Sequence, residues 1–320
     1  MRAFVTGGTG HLGRALIPVL LDQGAEVSVL VRPERSLSDF TDLASRVTVV
    51  HGSLSTAPEL LPALQAFRPD TLFHLAWSGV THAQLNNPNQ ADENVAGGLD
   101  LIRVAAQAGA TTCVALGSQA EYGRPDAPLH ESLPPAPETA YGRAKVQFHQ
   151  RAAGLCQQLG MRLIWVRLAA TYGPYDDPNH LLPYAIGCYL DGREPELTPG
   201  EQLWDYLYVQ DAAQALLALA STPTASGTYN LGSGQSQAVA DYVRMARDLI
   251  DPQLPLGLGR RAYGPQQIMS LRVDIERLAR ETGWQPSTSL QEGMRRTVAW
   301  NRTRKAQTQG ESRKAQTQGE

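Results

Sequence analysis

Lysine is nearly absent from this chain of 320 residues. Residues 1–303 hold a single one, Lys145, although arginine is abundant over the same stretch. A site that keeps lysine where arginine is the default calls for a compact ammonium on a flexible stem rather than a planar fork. Cysteine is scarce too: Cys113, Cys156 and Cys188 are widely spaced, odd in number and form no Cys-x-x-Cys pair. That argues against a disulfide framework and against a zinc site, and fits a reducing compartment. Seven scattered histidines lack metal-ligand spacing, so no metal is expected. No apolar run reaches the length of a membrane span. The net charge of -3 gives no reason to expect nucleic acid or an anionic membrane as partner. The first residues enter a strand pattern at once, which predicts no secretory signal and a cytoplasmic location.

What is present is an alternation. Residues 3–6, 27–31, 47–50, 71–75, 113–116 and 162–167 read as short buried strands. Helical patterns fall between them at about 12–23, 57–66, 90–108 and 141–159. Repeated β–α–β units predict an α/β fold, a doubly wound parallel sheet with helices on both faces. From residue 172 the texture changes to turn-rich loops, with helices near 181–190, 212–220, 237–250, 274–282 and 290–302. Residues 206–209 read as a strand returning to the main sheet, and 228–231 as a short strand among the helices of the smaller domain. The expected division is 1–169 with 206–222 as a dinucleotide-binding domain, and 170–205 with 223–302 as a smaller, discontinuous substrate domain. The segment 304–311 recurs as 313–320. Its composition cannot bury a core, so 303–320 is expected to be a disordered repeated tail.

The first predicted strand runs into Thr6-Gly7-Gly8-Thr9-Gly10-His11-Leu12-Gly13 and then a helix. Gly7 permits the tight turn, Gly10 lets the backbone approach a pyrophosphate, and Gly13 lets helix and strand pack closely. The diphosphate then meets free N–H groups at the helix start, near His11 and Leu12. This strand–loop–helix context marks a Rossmann-type nucleotide site. At the end of the second strand stands Val31, where an acidic residue would favour NAD. Arg32 follows it, and Arg35 comes three residues later. Two guanidinium groups suit a 2′-phosphate and favour NADP(H), with NAD(H) possible. The other reading of both arginines is solvated surface.

The strand 113–116 ends at Gly117-Ser118-Gln119-Ala120-Glu121-Tyr122-Gly123, so Ser118 faces the ligand crevice. Tyr141 and Lys145 are four residues apart and share a helix face. Ser118, Tyr141 and Lys145 resemble the Ser-Tyr-Lys set of the short-chain dehydrogenase/reductase superfamily. The length and C-terminal segments are similar to its extended branch, the NAD(P)-dependent nucleotide-sugar epimerase/dehydratase family. Tyr172-Gly173-Pro174, the run from Asp205 to Asp211 and Gly283-Trp284-Gln285-Pro286 carry the same resemblance. It implies that Tyr141 is the general acid or base at a sugar oxygen, with Ser118 bonded to that oxygen. It also implies that Lys145 holds the nicotinamide ribose. A free tyrosine titrates near pH ~10, so the expectation is that Lys145, with the oxidised nicotinamide, depresses it; a drop of ~2–3 pH units is worth roughly 3–4 kcal/mol.

Other positions follow from the resemblance. Ser53 and Leu54 flank adenine; Leu75, Ala76 and Trp77 line the dinucleotide, although Trp77 serves equally well as core. Asn94 supports the active-site backbone. Asn179 and His180 contact substrate, His180 as a ligand rather than a catalyst. Trp204 stands where relatives carry a phosphate-binding arginine, and either stacks on a ring or packs in the core. Arg261 or Arg272 would compensate. Helices near 90–108 and 141–159 would pair with a second subunit in a homodimer. The 4,6-dehydratases carry Asp-Glu after the serine position; here Gln119 and Ala120 stand there, and Glu121 is displaced by one. The expected reaction is therefore NADPH-dependent reduction of a nucleotide-linked 4-keto-6-deoxyhexose at carbon 4. A nucleotide-sugar 4-epimerase using NAD is the alternative, and a non-catalytic NADP-binding regulator is the remote one.

Overall fold

The computed structural model describes residues 1–35, 41–80, 84–124, 127–265 and 267–317. Its centre is a seven-stranded sheet. The strands β1 (Arg2–Thr6), β2 (Glu26–Val31), β3 (Thr48–His51), β4 (Thr71–His74), β5 (Thr112–Ser118) and β6 (Arg162–Leu168) form in chain order. Three short strands follow: β7 (Ala170–Tyr172), β8 (Leu203–Trp204) and β9 (Tyr206–Tyr208). The seventh strand of the sheet is β10 (Gly227–Leu231), giving the order β10-β6-β5-β4-β1-β2-β3. All its pairings are parallel. The strand order reverses between β1 and β4, and parallel sheets bind ligands at the carboxyl ends beside such a switch.

Strands buried on both faces need two apolar layers. On one face α1 (His11–Asp22) sends Leu12, Leu16 and Leu20 into the same core as Val5, Val29 and Phe73. On the other, Leu60 and Leu64 in the segment that ends in α3 (Leu61–Phe67) pack with Leu99 and Ile102 of α4 (Gln90–Gln107). Phe148 and Ala152 of α5 (Ala140–Leu159) complete that layer. The short α2 (Thr41–Ala44) lies between β2 and β3 in the chain. Beyond β6 come α6 (Leu181–Leu190) and α7 (Val209–Ser221), and α7 joins the α1 face. The strands β11 (Gln237–Ala238) and β12 (Ser270–Leu271) flank β8 in a three-stranded sheet. The helices α8 (Val239–Asp248), α9 (Glu276–Thr282) and α10 (Leu290–Thr317) complete the chain. A further core of Leu182, Ile186, Tyr242, Met294 and Val298 joins α6, α8 and α10.

Three expectations need correction. Tyr206–Tyr208 does not return to the main sheet; it pairs with Ala170–Tyr172 in a separate two-stranded sheet. The strand at 228–231, placed with the smaller domain, is instead part of β10, the edge strand of the main sheet beside β6. Both are short segments, and pairing across long sequence separation leaves no local mark. The tail is not disordered from residue 303: α10 runs to Thr317. Its alanine, glutamine, arginine and lysine content has good intrinsic helix propensity, and Lys305 Nζ donates to the Leu190 carbonyl at 2.7 Å and pairs with Asp191. Residues 318–320 lie outside the described residues. No helix among the described residues is long and apolar enough to cross a membrane.

Candidate active site

The carboxyl edge of the sheet gathers the sequence motifs. Thr6 ends β1, and the chain turns through Gly7, which has φ +73°. A Cβ at Gly7 would lie 2.8 Å from the Ala76 nitrogen, so the glycine lets the loop settle against the residues after β4. A Cβ at Gly13 would lie 2.2 Å from the Gly7 carbonyl oxygen and 2.5 Å from the Gly8 Cα. Both obstacles are backbone and cannot swing away. Gly10 opens α1 with no side chain capping the helix. Its first N–H groups are thus left to an anion. His11 Nδ1 donates to the Pro174 carbonyl at 2.8 Å, while its Nε2 is buried without a partner among the described residues. This loop fits a dinucleotide diphosphate. Gly13→Ala is expected to lower stability by at least about 1–3 kcal/mol through overpacking. It should also weaken coenzyme binding in a direct titration more than any alanine elsewhere in α1.

The end of β2 departs from expectation. Arg32 and Arg35 are exposed, but Arg32 Nε lies 3.2 Å from Glu34 Oε1. The strand end therefore does carry a carboxylate, three residues past Val31, and it engages one of the two guanidinium groups. Ser53 Oγ meets Ser55 Oγ at 2.8 Å, and Ser53 caps the turn that begins at Leu54. Leu54 packs against the α3–α4 layer.

Ser118 ends β5 directly at the same edge, nine-tenths buried. Thr139 Oγ1 accepts from the Gly142 amide at 3.0 Å and so starts α5 one residue before Tyr141. The helical repeat then brings Lys145 onto the face of Tyr141, and the Ser118 side chain lies close enough to the Tyr141 phenol to draw its proton affinity down. Lys145 Nζ donates to the Leu116 carbonyl at 2.7 Å and lies 3.6 Å from the centre of the Trp77 ring. Trp77 meets Tyr141 edge to face, with ring centres 6.1 Å apart. Trp77 is thus a wall of the reactive cluster. The structure brings Ser118, Tyr141, Lys145 and Trp77 together beside Leu75 and Ala76; the Leu75 amide donates to the Thr6 carbonyl, and the Ala76 amide to Thr6 Oγ1. Asn94, buried in α4, accepts from the Ser78 amide at 2.7 Å and donates to its carbonyl at 3.1 Å.

Proton affinities in this cluster are dominated by burial. Burial pushes Tyr141 up to about 12; the Ser118 hydrogen bond opposes that rise and the Glu121 charge adds to it. Burial pushes Lys145 down to about 7, against the pull of Glu121. The ammonium is directed at the Leu116 carbonyl and the Trp77 face, and sits 5.8 Å from the centre of the Tyr141 ring. Enclosure therefore outweighs the lysine charge. Next to them His74 is held at about 3 by burial and then by Lys145.

Both bases are depressed in the folded chain, so the unfolded chain binds their protons more readily. Stability is lost as pH falls from 10.5 towards about 7 for Lys145, and from 6.5 towards about 3 for His74. His74→Gln is expected to flatten the pH dependence of the urea midpoint in the lower window only.

The expected substrate contacts are more dispersed. Asn179 donates twice to Asp177 Oδ1, at 2.9 Å. His180 stands at the start of α6, with Nδ1 2.7 Å from the buried Asp176, whose carboxylate raises its proton affinity. Trp204 packs among three apolar clusters, its carbonyl accepting from the Tyr242 hydroxyl at 2.8 Å. Arg272 follows β12, which pairs with β8, so it lies near Trp204; its Nε donates to Ser270 Oγ at 3.0 Å. Arg261 is exposed on a separate turn, its amide bonded to the Leu197 carbonyl.

Two residues support the site in ways the sequence reading did not give them. Gln90 accepts from the Trp77 indole at 2.9 Å and donates to the Gly79 carbonyl. Glu121 is wholly buried beneath Ser118. The second was legible: Ser118 and Glu121 have the S-x-x-E spacing of a capping box, and they form one.

Similar proteins align over nearly the whole chain. The dTDP-glucose 4,6-dehydratase of Salmonella typhimurium is 26% identical over 338 residues, covering 94% of this chain and 92% of that one. The UDP-glucose 4-epimerase of Corynebacterium glutamicum is 26% identical over 306 residues, covering 89% and 91%. The crystal structure of the Thermus thermophilus UDP-glucose 4-epimerase in complex with NAD aligns with a TM-score of 0.83 at 25% identity, covering 94% and 99%. The sequence model of the NAD dependent epimerase/dehydratase family matches residues 3–232. That span runs from β1 past β10 and contains the glycine loop, Ser118, Tyr141 and Lys145; the chain belongs to the NAD dependent epimerase/dehydratase family.

Proposed function

We propose that the protein interconverts a hydroxyl and a keto group at carbon 4 of a nucleotide-linked hexose. The observation that carries this reading is the meeting of Ser118, Tyr141 and Lys145 at the sheet edge beside the glycine loop. Ser118 Oγ holds the sugar oxygen. Tyr141 gives that oxygen a proton or takes one, and Lys145 orients the coenzyme ribose and stabilises the phenolate. The nicotinamide coenzyme, when bound, supplies or accepts the hydride. A phenol pushed up to about 12 is protonated at neutral pH, which is the form needed to protonate a keto oxygen.

The finer reading is reduction of a nucleotide-linked 4-keto-6-deoxyhexose with NADPH. It is supported by Gln119 and Ala120, which offer no acid for eliminating water, and by Glu121, whose carboxylate is buried and engaged. A second reading, a 4-epimerase that retains NAD, is favoured by the Arg32–Glu34 pair and by the NAD held in the Thermus relative. Denaturing the purified protein and identifying the released nucleotide separates the two. So does incubation with nucleotide-linked sugars. Stoichiometric loss of NADPH with a 4-keto sugar supports reduction. Inversion at carbon 4 without net coenzyme turnover supports the epimerase. The absence of both overturns chemistry at carbon 4.

The sugar nucleotide is assigned to the layer of α6, α8 and the β8–β11–β12 sheet, where His180, Trp204 and Arg272 lie. A second copy is assigned to the outer face of α4 and α5, with Arg103, Gln150, Arg151 and Gln158 at its surface. Light scattering at micromolar concentration is expected to report a dimer, and a monomer refutes that assignment. The free, buried cysteines suit a reducing cytoplasm.

A further inference from the structure

Beneath the end of β5 lies a carboxylate that no solvent reaches. Glu121 Oε1 accepts the Ser118 backbone amide at 2.9 Å. The Trp165 indole N–H lies 3.1 Å from both carboxylate oxygens, and Arg167 Nε donates to Oε2 at 2.9 Å. The ion pair is buried on both sides, with side chains 0% and 4% exposed. A carboxylate in such a place costs several kcal/mol unless it is paired and hydrogen-bonded throughout. The chain also makes room for it: a Cβ at Gly117 would stand 2.4 Å from Glu121 Oε1 and 2.4 Å from Trp165 Nε1. So much local arrangement holds one charge directly under the residue that meets the sugar oxygen.

The charged and titratable groups around Lys145 and Tyr141 come from each packed element. His74 approaches from β4, Glu121 from the turn after β5, and Arg167 from β6. His149, the next turn of α5, stacks on Trp165 with ring centres 4.6 Å apart. Among the groups acting on Lys145 and Tyr141, Glu121 is the negative one, and it acts on both.

We propose that Glu121 is a positioning residue of the active centre: its carboxylate fixes the Ser118 end of β5 and sets the electrostatic field in which Tyr141 and Lys145 exchange protons. The role in turnover rests on the reaction proposed above; the field on Lys145 does not. Glu121→Gln keeps an oxygen for the Ser118 amide and removes the charge. Without that charge Lys145 loses its proton at a lower pH.

Lysine scarcity makes the test direct, because Lys145, Lys305 and Lys314 are the only lysines. Protein grown on lysine labelled with carbon-13 beside the ammonium is titrated by NMR. In Glu121→Gln the Lys145 midpoint is expected roughly 1 pH unit lower, the lower end of an opposite charge's effect at close range, with Lys305 unmoved. The pH profile of kcat should shift the same way, with the KM for coenzyme unchanged. Trp165→Phe removes one donor and keeps the carboxylate, so it is expected to move the midpoint up; it serves if Glu121→Gln does not fold. An unchanged Lys145 midpoint in a folded variant overturns the proposal. A shifted midpoint in a protein that turns over no nucleotide sugar leaves this proposal standing and sinks the reaction instead.

Discussion

Replacing Tyr141 by phenylalanine is expected to lower kcat about 10²–10⁴-fold, the range for loss of a positioned acid–base group, while coenzyme affinity stays near that of the wild type. The ring that meets Trp77 edge to face remains, so the wall of the site keeps its shape. What disappears is the hydroxyl whose proton affinity Ser118 draws down. Single-turnover measurement of hydride transfer, beside a coenzyme titration, separates the two effects. If the phenylalanine variant turns over at the wild-type rate, Tyr141 is a packing residue and the reaction proposed for this edge fails. Phenylalanine is the informative choice because it removes one oxygen and nothing else.

The second large effect is on stability. Arg167→Met is expected to cost about 3–5 kcal/mol, because it leaves the Glu121 carboxylate buried and unpaired. Adding Glu121→Gln to that variant should restore much of the loss, since the remaining polar group is neutral. Such a rescue distinguishes an electrostatic cost from lost packing of the guanidinium over the Tyr122 ring, whose centre lies 4.4 Å away. Urea denaturation with a constant slope provides the comparison. A single variant as stable as the wild type would mean that Glu121 takes up a proton without penalty.

The features legible in the sequence were those fixed by neighbours along the chain. The glycine loop needs only strand, turn and helix in succession, and Tyr141 with Lys145 needs only one helical turn. Ser118 could be placed because a buried parallel strand has one functional end. Features fixed by distant pairing were not legible: Tyr206–Tyr208 and Gly227–Leu231 are short segments that joined different sheets. Proton affinities were harder still. The charge of Lys145 is written in the sequence, but the enclosure that pushes Tyr141 up and Lys145 down belongs to the assembled fold. Glu34 sat in plain view beside Arg32, yet its engagement depends on how the chain turns after β2.

The ammonium of Lys145 rests against the face of the Trp77 indole, and an indole's π-cloud responds to a charge held that close. Its light emission is therefore expected to change in colour or brightness as Lys145, held down to about 7 by burial, loses its proton. The chain has five tryptophans; subtracting the spectrum of a Trp77→Phe variant isolates this one. Such a change would make Trp77 an optical gauge of the reactive pair, readable without dye, label or substrate.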